Sequence, residues 1–251
     1  MFELLLTTVP DIPLPLVEYP NSGPGPTMLV KGTETIGYFG EVSSAELMTY
    51  TAFKAALSAS LAGTDLADKG WFKFMYNRKV LFISKGCIAS GLSWQQIYQA
   101  GGIYGFDGTG AYPSGTATNQ YKPVTVTGSR TWSLIPRSLK VSNNDPSAVS
   151  FIENNGNEYS DLLYRVSIFN PSVPGSGSFA NYTLAEIDLN RAEFGYNTAT
   201  PTTRMVLRGG AQSNGTGTPT ANYTSLLKTD ASSYAQRWRG VLEVEGDPIT
   251  G

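Results

Sequence analysis

Trp71-Phe-Lys-Phe-Met-Tyr76, Asn77-Arg-Lys79 and Val80-Leu-Phe-Ile-Ser84 follow one another without a break. Both outer runs are aromatic or β-branched, the side-chain types that suit a pleated, packed surface. The polar stretch between them suits a tight turn. The whole segment predicts a β-hairpin, and a β-rich fold grows outward from it. Upstream, Phe2 to Val9 reads as a strand and Pro20-Asn-Ser-Gly-Pro-Gly-Pro26 as a loop. Met28 to Lys31 and Thr35 to Phe39 read as a second hairpin around Gly32-Thr-Glu34. Ser43-Ser-Ala-Glu46 is a capping box, and Leu47, Tyr50, Phe53 and Leu57 follow at helical spacing. A helix is therefore expected to about Ala62, with Gly63 as its stop.

Downstream, Ser93-Trp-Gln-Gln96 caps a short helix ending at Ala100, stopped by Gly101 and Gly102. Residues 105 to 128 read as an exposed loop with a hairpin around Lys122 to Thr127. Thr131 to Val141 reads as a strand pair or one long strand. Tyr159, Leu162, Leu163 and Val166 have helical spacing and predict another helix. Residues 170 to 183 read as a Pro/Gly/Ser loop, Leu184 to Leu189 as polar structure, Arg204 to Gly210 as a strand, and Gln212 to Ala221 as a low-complexity loop. Arg237 to Glu245 closes the pattern as a strand in which Trp238, Leu242 and Val244 share a face. The fold class is α+β: a β-rich mixed domain with two or three short helices.

Composition narrows the chemistry. The 251 residues carry a net charge of −2, and only 15% are charged against a usual ~25%. No basic run is long enough to mark a phosphate-binding face, so nucleic acid is not an expected partner. One cysteine, Cys87, rules out an internal disulfide, and it reads as a small semi-buried thiol. Histidine is absent, which removes the commonest general base and the commonest zinc ligand. Oxygen-only metal sites remain open: Asn143-Asn-Asp145 and Asn154-Asn-Gly-Asn-Glu158 have calcium-type ligands, although turn formation explains them as well. Glu153, Glu158, Asp161, Glu186, Asp188 and Glu193 could supply a glycosidase pair; solvated surface acids are the plainer reading. No cofactor is expected. The first ten residues read as a strand rather than a signal peptide, and no apolar run is long enough for a membrane span. The six tyrosines in polar stretches, Tyr104, Tyr112, Tyr121, Tyr182, Tyr196 and Tyr223, are the candidate binding residues. Tyrosine offers contact area at low entropy cost and suits interfaces and sugar stacking, but it can equally staple long loops.

The order of motifs adds a resemblance. Gly70-Trp-Phe-Lys-Phe, Lys79-Val-Leu-Phe-Ile-Ser-Lys85, Leu92-Ser-Trp94, Ala100-Gly-Gly-Ile-Tyr-Gly105, Gly156-Asn-Glu-Tyr159, Val206-Leu-Arg-Gly209 and Trp238-Arg-Gly-Val-Leu-Glu243 occur in this order. The series resembles a domain of tailed-bacteriophage virion proteins and the formylglycine-generating-enzyme branch of the C-type-lectin fold. Tyr159 stands where that pattern has Trp, and Gly240 where it has Pro. The lone Cys87 lacks the partner that oxidase chemistry in that branch requires. The resemblance implies a C-type-lectin-like domain over residues 70–251, preceded by an N-terminal β arm and helix over residues 1–69. It implies a virion protein of the tail, tail tip or fibre-attachment region, assembled in the host cytoplasm. Such a protein acts by contact rather than as an enzyme. Its partners would be other virion proteins, a host surface glycan or receptor, and further copies of itself in a homo-oligomer. A capsid-decoration or collar protein and a glycan-binding adhesin are the alternatives. Residues 105–121, 170–182 and 211–224 would be the display loops.

Overall fold

A computed structural model describes residues 17–111, 116–144, 156–167, 175–190, 193–199, 204–208, 224–228 and 237–248; for 196–199, 204 and 224–228 it describes the backbone alone. In chain order the elements are β1 (Lys31–Gly32), β2 (Ile36–Val42), α1 (Tyr50–Leu57), β3 (Thr64–Asp65), β4 (Trp71–Tyr76), β5 (Lys79–Ser84), β6 (Ala89–Ser90) and α2 (Trp94–Gln99). There follow β7 (Val124–Thr127), β8 (Thr131–Ser138), a π-helical turn Tyr159–Leu163 leading into α3 (Tyr164–Val166), β9 (Glu193–Ala199), β10 (Arg204–Arg208), β11 (Thr224–Lys228), β12 (Arg237–Trp238) and β13 (Gly240–Val244).

The Trp71–Ser84 hairpin forms as the sequence predicts, with Trp71 opposite Ser84 and Tyr76 opposite Lys79. Its two-residue turn puts Asn77 and Arg78 at φ 49° and 63°, the left-handed pair that matches the twist of a hairpin. The hairpin lies in a seven-stranded sheet ordered β1-β2-β4-β5-β13-β8-β7, antiparallel at every contact. A six-stranded sheet, β11-β10-β9-β12-β6-β3, is antiparallel except where β12 runs parallel to β9.

Both faces of β4 and β5 are covered, which is why their apolar runs are unbroken. On one face Trp71, Met75, Val80 and Phe82 join Leu242, Val244 and the helices α1 and α2 in a single cluster. On the other, Phe72, Phe74, Leu81 and Ile83 pack with Val241, Leu139, Val141 and the helical segment around Tyr159–Val166. The last strand reads as predicted by face, with Trp238, Leu242 and Val244 in one cluster. It is nevertheless split: β12 serves the second sheet and β13 the first, and Arg239 lies at the crossing.

Residues from 17–69 share a sheet and a core cluster with strands that follow residue 70. β2 pairs with β4 from Ile36↔Tyr76 to Val42↔Trp71, and Phe53 of α1 lies 5.7 Å from Trp71 and 5.6 Å from Trp238 between ring centroids. The Ser43–Glu46 capping box is present, but it closes only a turn. The helix starts later because Thr49 caps it, accepting from the Ala52 N–H, and the Asp68 carboxylate takes the Tyr50 N–H at 3.1 Å. It also ends earlier, at Leu57, where Ser58 turns extended. The hairpin expected around Lys122–Thr127 is the pair β7 and β8, turning at Gly128-Ser-Arg130. The helix at Tyr159 begins as a π turn rather than at regular 3.6 spacing. Phe2 to Val9 and Gln212 to Ala221 lie outside the described residues. None of the described helices is long and apolar enough to cross a membrane.

Candidate functional site

A cleft of about 440 Å³ opens between the turn after β2 and the segment before β4, lined by Glu41, Val42, Ser43, Ser44, Asp68, Lys69 and Gly70. Its position follows from the local sequence. Gly70 sits at φ 79°, a conformation that favours glycine, and this bend brings Asp68 back toward the helix start. Asp68 accepts from the Tyr50 N–H, the Gly70 N–H and the Ser44 hydroxyl. Glu46 takes the Ser43 N–H and hydroxyl, and these bonds hold its carboxyl below its usual value.

Glu41 on the cleft wall pairs with Lys85. The Lys85 ammonium also sits 4.8 Å above the Tyr182 ring and 5.5 Å from that of Phe72, a cation–π arrangement. Lys69 donates to the Glu186 carbonyl at 2.9 Å and the Asp188 carboxylate at 3.0 Å. Lys69 thus ties the cleft wall to the turn 182–190, which has its own capping box: Glu186 takes the Thr183 N–H and hydroxyl at 2.7 Å each. The signal for that turn, Thr183-Leu-Ala-Glu186, is visible in the sequence as the same S/T-x-x-E pattern as at Ser43. The cleft lining is thus polar, with Glu41 paired to Lys85 and the Ser43 and Ser44 hydroxyls bonded to Glu46 and Asp68.

The carboxylates that sequence singles out as a hydrolytic pair are distributed among structural tasks. Glu158, 2% exposed, holds Arg137, 3% exposed, through two contacts of 2.9 and 2.6 Å, and also accepts the Lys140 N–H at 3.0 Å. Arg137 reaches Glu243 as well, at 3.0 Å. Asp161 takes the Gly156 N–H and the Tyr76 hydroxyl. Glu193 binds Arg239 at 2.8 Å, both wholly buried, and accepts the Cys87 thiol proton at 3.0 Å. Burial pushes the Glu193 carboxyl up, and Arg239 and the Cys87 S–H pull it back. Arg239 also donates to the carbonyls of Ser84, Lys85 and Ile187, so it ties the start of β13 to the end of β5 and to the 184–190 turn. Asp188, at φ 58°, takes the Cys87 N–H at 3.0 Å and pairs with Lys69 and Arg237. Cys87 is more buried than sequence reading allows; burial, then Glu193, pushes its thiol well up. Glu153 and Asn154 lie outside the described residues, as does Asp145 of the first calcium-type run. Among the described residues no group of three or more Cys, Asp or Glu is arranged to hold a metal ion.

Of the six tyrosines, the three whose side chains are described, Tyr104, Tyr121 and Tyr182, each meet different partners. Tyr104 follows the stapling alternative: it is 3% exposed, packs edge-on against Trp94 and Tyr98, and donates its hydroxyl to the Ala111 carbonyl at 2.6 Å. It staples the loop that follows it, because a Tyr beside Gly105 and Gly110 can fold back under a chain with no side chains in the way; a Cβ on Gly110 would fall 2.4 Å from its ring. Tyr121 is half-buried and donates to Glu245. Tyr182 is half-buried, with its ring 5.3 Å from Phe72 and under the Lys85 ammonium that pairs with Glu41; it is not part of the cleft lining. Tyr196 lies on β9 with only its backbone described, and Tyr112 and Tyr223 lie outside the described residues. No family model, curated protein or solved structure matches the chain.

Proposed function

We propose that the chain is a structural component of a tailed-phage virion, built on a C-type-lectin-like scaffold and acting by contact with neighbouring virion proteins. The observation that carries this reading is where the quoted motifs fall. The Trp71 and Lys79 segments and the Trp238–Glu243 segment are the neighbouring strands β4, β5 and β13 with the short strand β12. Trp71, Trp94 and Trp238 are wholly buried in one cluster. Glu158 of the Gly156-Asn-Glu-Tyr159 motif is clamped to Arg137, and Arg208 of the Leu-Arg-Gly motif is buried against Tyr159, Ser160 and Tyr164. The motifs thus supply buried side chains to both clusters, and the polar segments between them would serve as contact surface. Immunogold electron microscopy of purified particles with an antibody to the chain tests this. Label confined to the tail or its tip supports the reading, label over the head moves the assignment to capsid decoration, and unlabelled particles refute it.

A second reading, a glycan-binding adhesin, is favoured by the polar cleft and by Tyr182, whose ring meets Lys85, the partner of Glu41 on the cleft wall. Sugars are gripped by an aromatic face together with hydroxyl and carboxylate partners, and the cleft lining includes Ser43, Ser44 and Glu41 as groups of the polar kind. Glycan-array binding that disappears in Tyr182→Ala would support it; an array left blank by the wild-type chain counts against it.

A further inference from the structure

Lys73 lies in the middle of β4, wholly buried, on the face that carries Trp71 and Met75. Its ammonium is met from the segment 22–26: the Ser22 hydroxyl at 2.9 Å and the carbonyls of Gly23, Pro24 and Pro26 at 3.1, 2.9 and 2.6 Å. The rings of Phe39 on β2 and Phe82 on β5 lie 4.9 and 5.6 Å from it. No described carboxylate bonds to it. An ammonium has three protons and no acceptor, so four oxygens and two ring faces oversupply it, and every one of the oxygens comes from a single short segment.

That segment is shaped for close approach. A Cβ on Gly23 would stand 3.0 Å from Phe82 and 3.1 Å from Val244, and one on Gly25 would stand 2.5 Å from Val42. Both glycines have positive φ, 90° and 78°, and the prolines remove donors that would otherwise need partners. The segment's backbone bonds close on themselves: the Tyr19 N–H to the Thr27 carbonyl at 2.7 Å and the Ser22 N–H to the Tyr19 carbonyl at 3.0 Å. Apart from the lysine, its polar ties across the fold run from Arg130 to the Pro20 carbonyl and the Asn21 side chain, at 3.3 and 3.0 Å, and from the Tyr19 hydroxyl to Glu34, at 3.3 Å. The β2–β4 ladder runs directly between the two strands from Ile36↔Tyr76 to Val42↔Trp71, and the strap contributes no strand to it.

We propose that residues 19–28 are a latch fastened by Lys73, which opens as one unit from the β4–β5–β13 face while the sheet stays folded, uncovering Phe39, Phe82 and Val244. Elements with few ties to the ladder open with far less free energy than the core. Burial pushes the Lys73 ammonium down to about 7; closure over this charge therefore has a desolvation cost that the four oxygens offset, and losing them tips the balance.

Hydrogen exchange with mass spectrometry on the full chain tests the latch, comparing the peptide over 19–28 with that over 71–84. In the wild type the strap should exchange faster than the hairpin. In Lys73→Met, which keeps the length and removes the donors, strap exchange should rise at least tenfold with the hairpin unchanged. Equal strap exchange in both proteins, or strap and hairpin rising together, overturns the proposal. Should Lys73→Met fail to fold, the double variant Ser22→Ala/Arg130→Ala weakens the same fastening from the strap side. A strap-only rise of about threefold is expected there, and no rise overturns the proposal equally.

Discussion

Replacing Glu158 by Gln keeps the shape of the side chain and deletes its charge. Three donors converge on the carboxylate: two guanidinium N–H groups of Arg137 and the Lys140 N–H. The amide retains one oxygen and turns an NH₂ toward donors, so at least one charge-assisted bond is lost and one N–H faces another. Bonds to charged groups contribute about 1.5–3 kcal/mol each, and unpairing a buried ion costs about 3–5 kcal/mol. Glu243 still neutralises Arg137, which places the loss near the lower bound, about 3 kcal/mol. For a chain of this length that lowers Tm by roughly 6–12 °C. Urea denaturation and thermal scans of the two proteins read the difference. A loss under about 1 kcal/mol would refute the reasoning, because it would mean that the pair behaves as an exposed one.

Other outcomes follow from the same geometry. Gly240→Ala places a methyl 2.8 Å from the Phe53 ring and should cost about 1–3 kcal/mol by overpacking, read as a lower urea midpoint. Arg78→Gly relieves a left-handed non-glycine residue at φ 63° and should raise Tm slightly, since that conformation costs an L residue about 1–2 kcal/mol and glycine's added chain entropy returns part of it. Cys87 should resist thiol reagents in the native state and react once the chain unfolds, because it is wholly buried with its thiol pushed well up; labelling in native buffer would contradict this. Glu243 sets an acid limb. Burial alone would push its carboxyl up, but Arg137 and Lys79 beside it hold it below the ordinary 4.5. Its folded value is depressed, so its stabilisation is present above about pH 4.5 and is lost as pH falls through the folded value. Glu243→Gln should therefore flatten the fall in urea midpoint below that pH.

What sequence makes legible is local. The Trp71–Ser84 hairpin, the Ser93 cap and the faces of Trp238, Leu242 and Val244 follow from period, turn chemistry and capping, which neighbouring residues decide between themselves. What escapes it is non-local. Ser43 carries a sound capping box, yet Thr49 and the distant Asp68 decide where α1 begins. The split of the last strand depends on Arg239 meeting Glu193, 46 residues away. Pro20–Pro26 is readable as a loop, but its carbonyls serve a lysine some 50 residues further on, and no pattern within the loop records that. Tyr104 and Tyr182 look alike as tyrosines in polar loops; only packing separates the buried staple from the half-buried ring under Lys85. The acids at 158, 161, 188 and 193 invite a catalytic reading in one dimension, and their bonding partners in three dimensions account for them.

Quantitative mass spectrometry of purified, infectious particles that encode this chain tests the central reading most directly. Peptides of the chain at a fixed copy number per particle, a few to dozens, are predicted for a tail or tail-tip component that works by contact. Complete absence of those peptides from mature particles, while the chain is abundant in the infected cell, would contradict it.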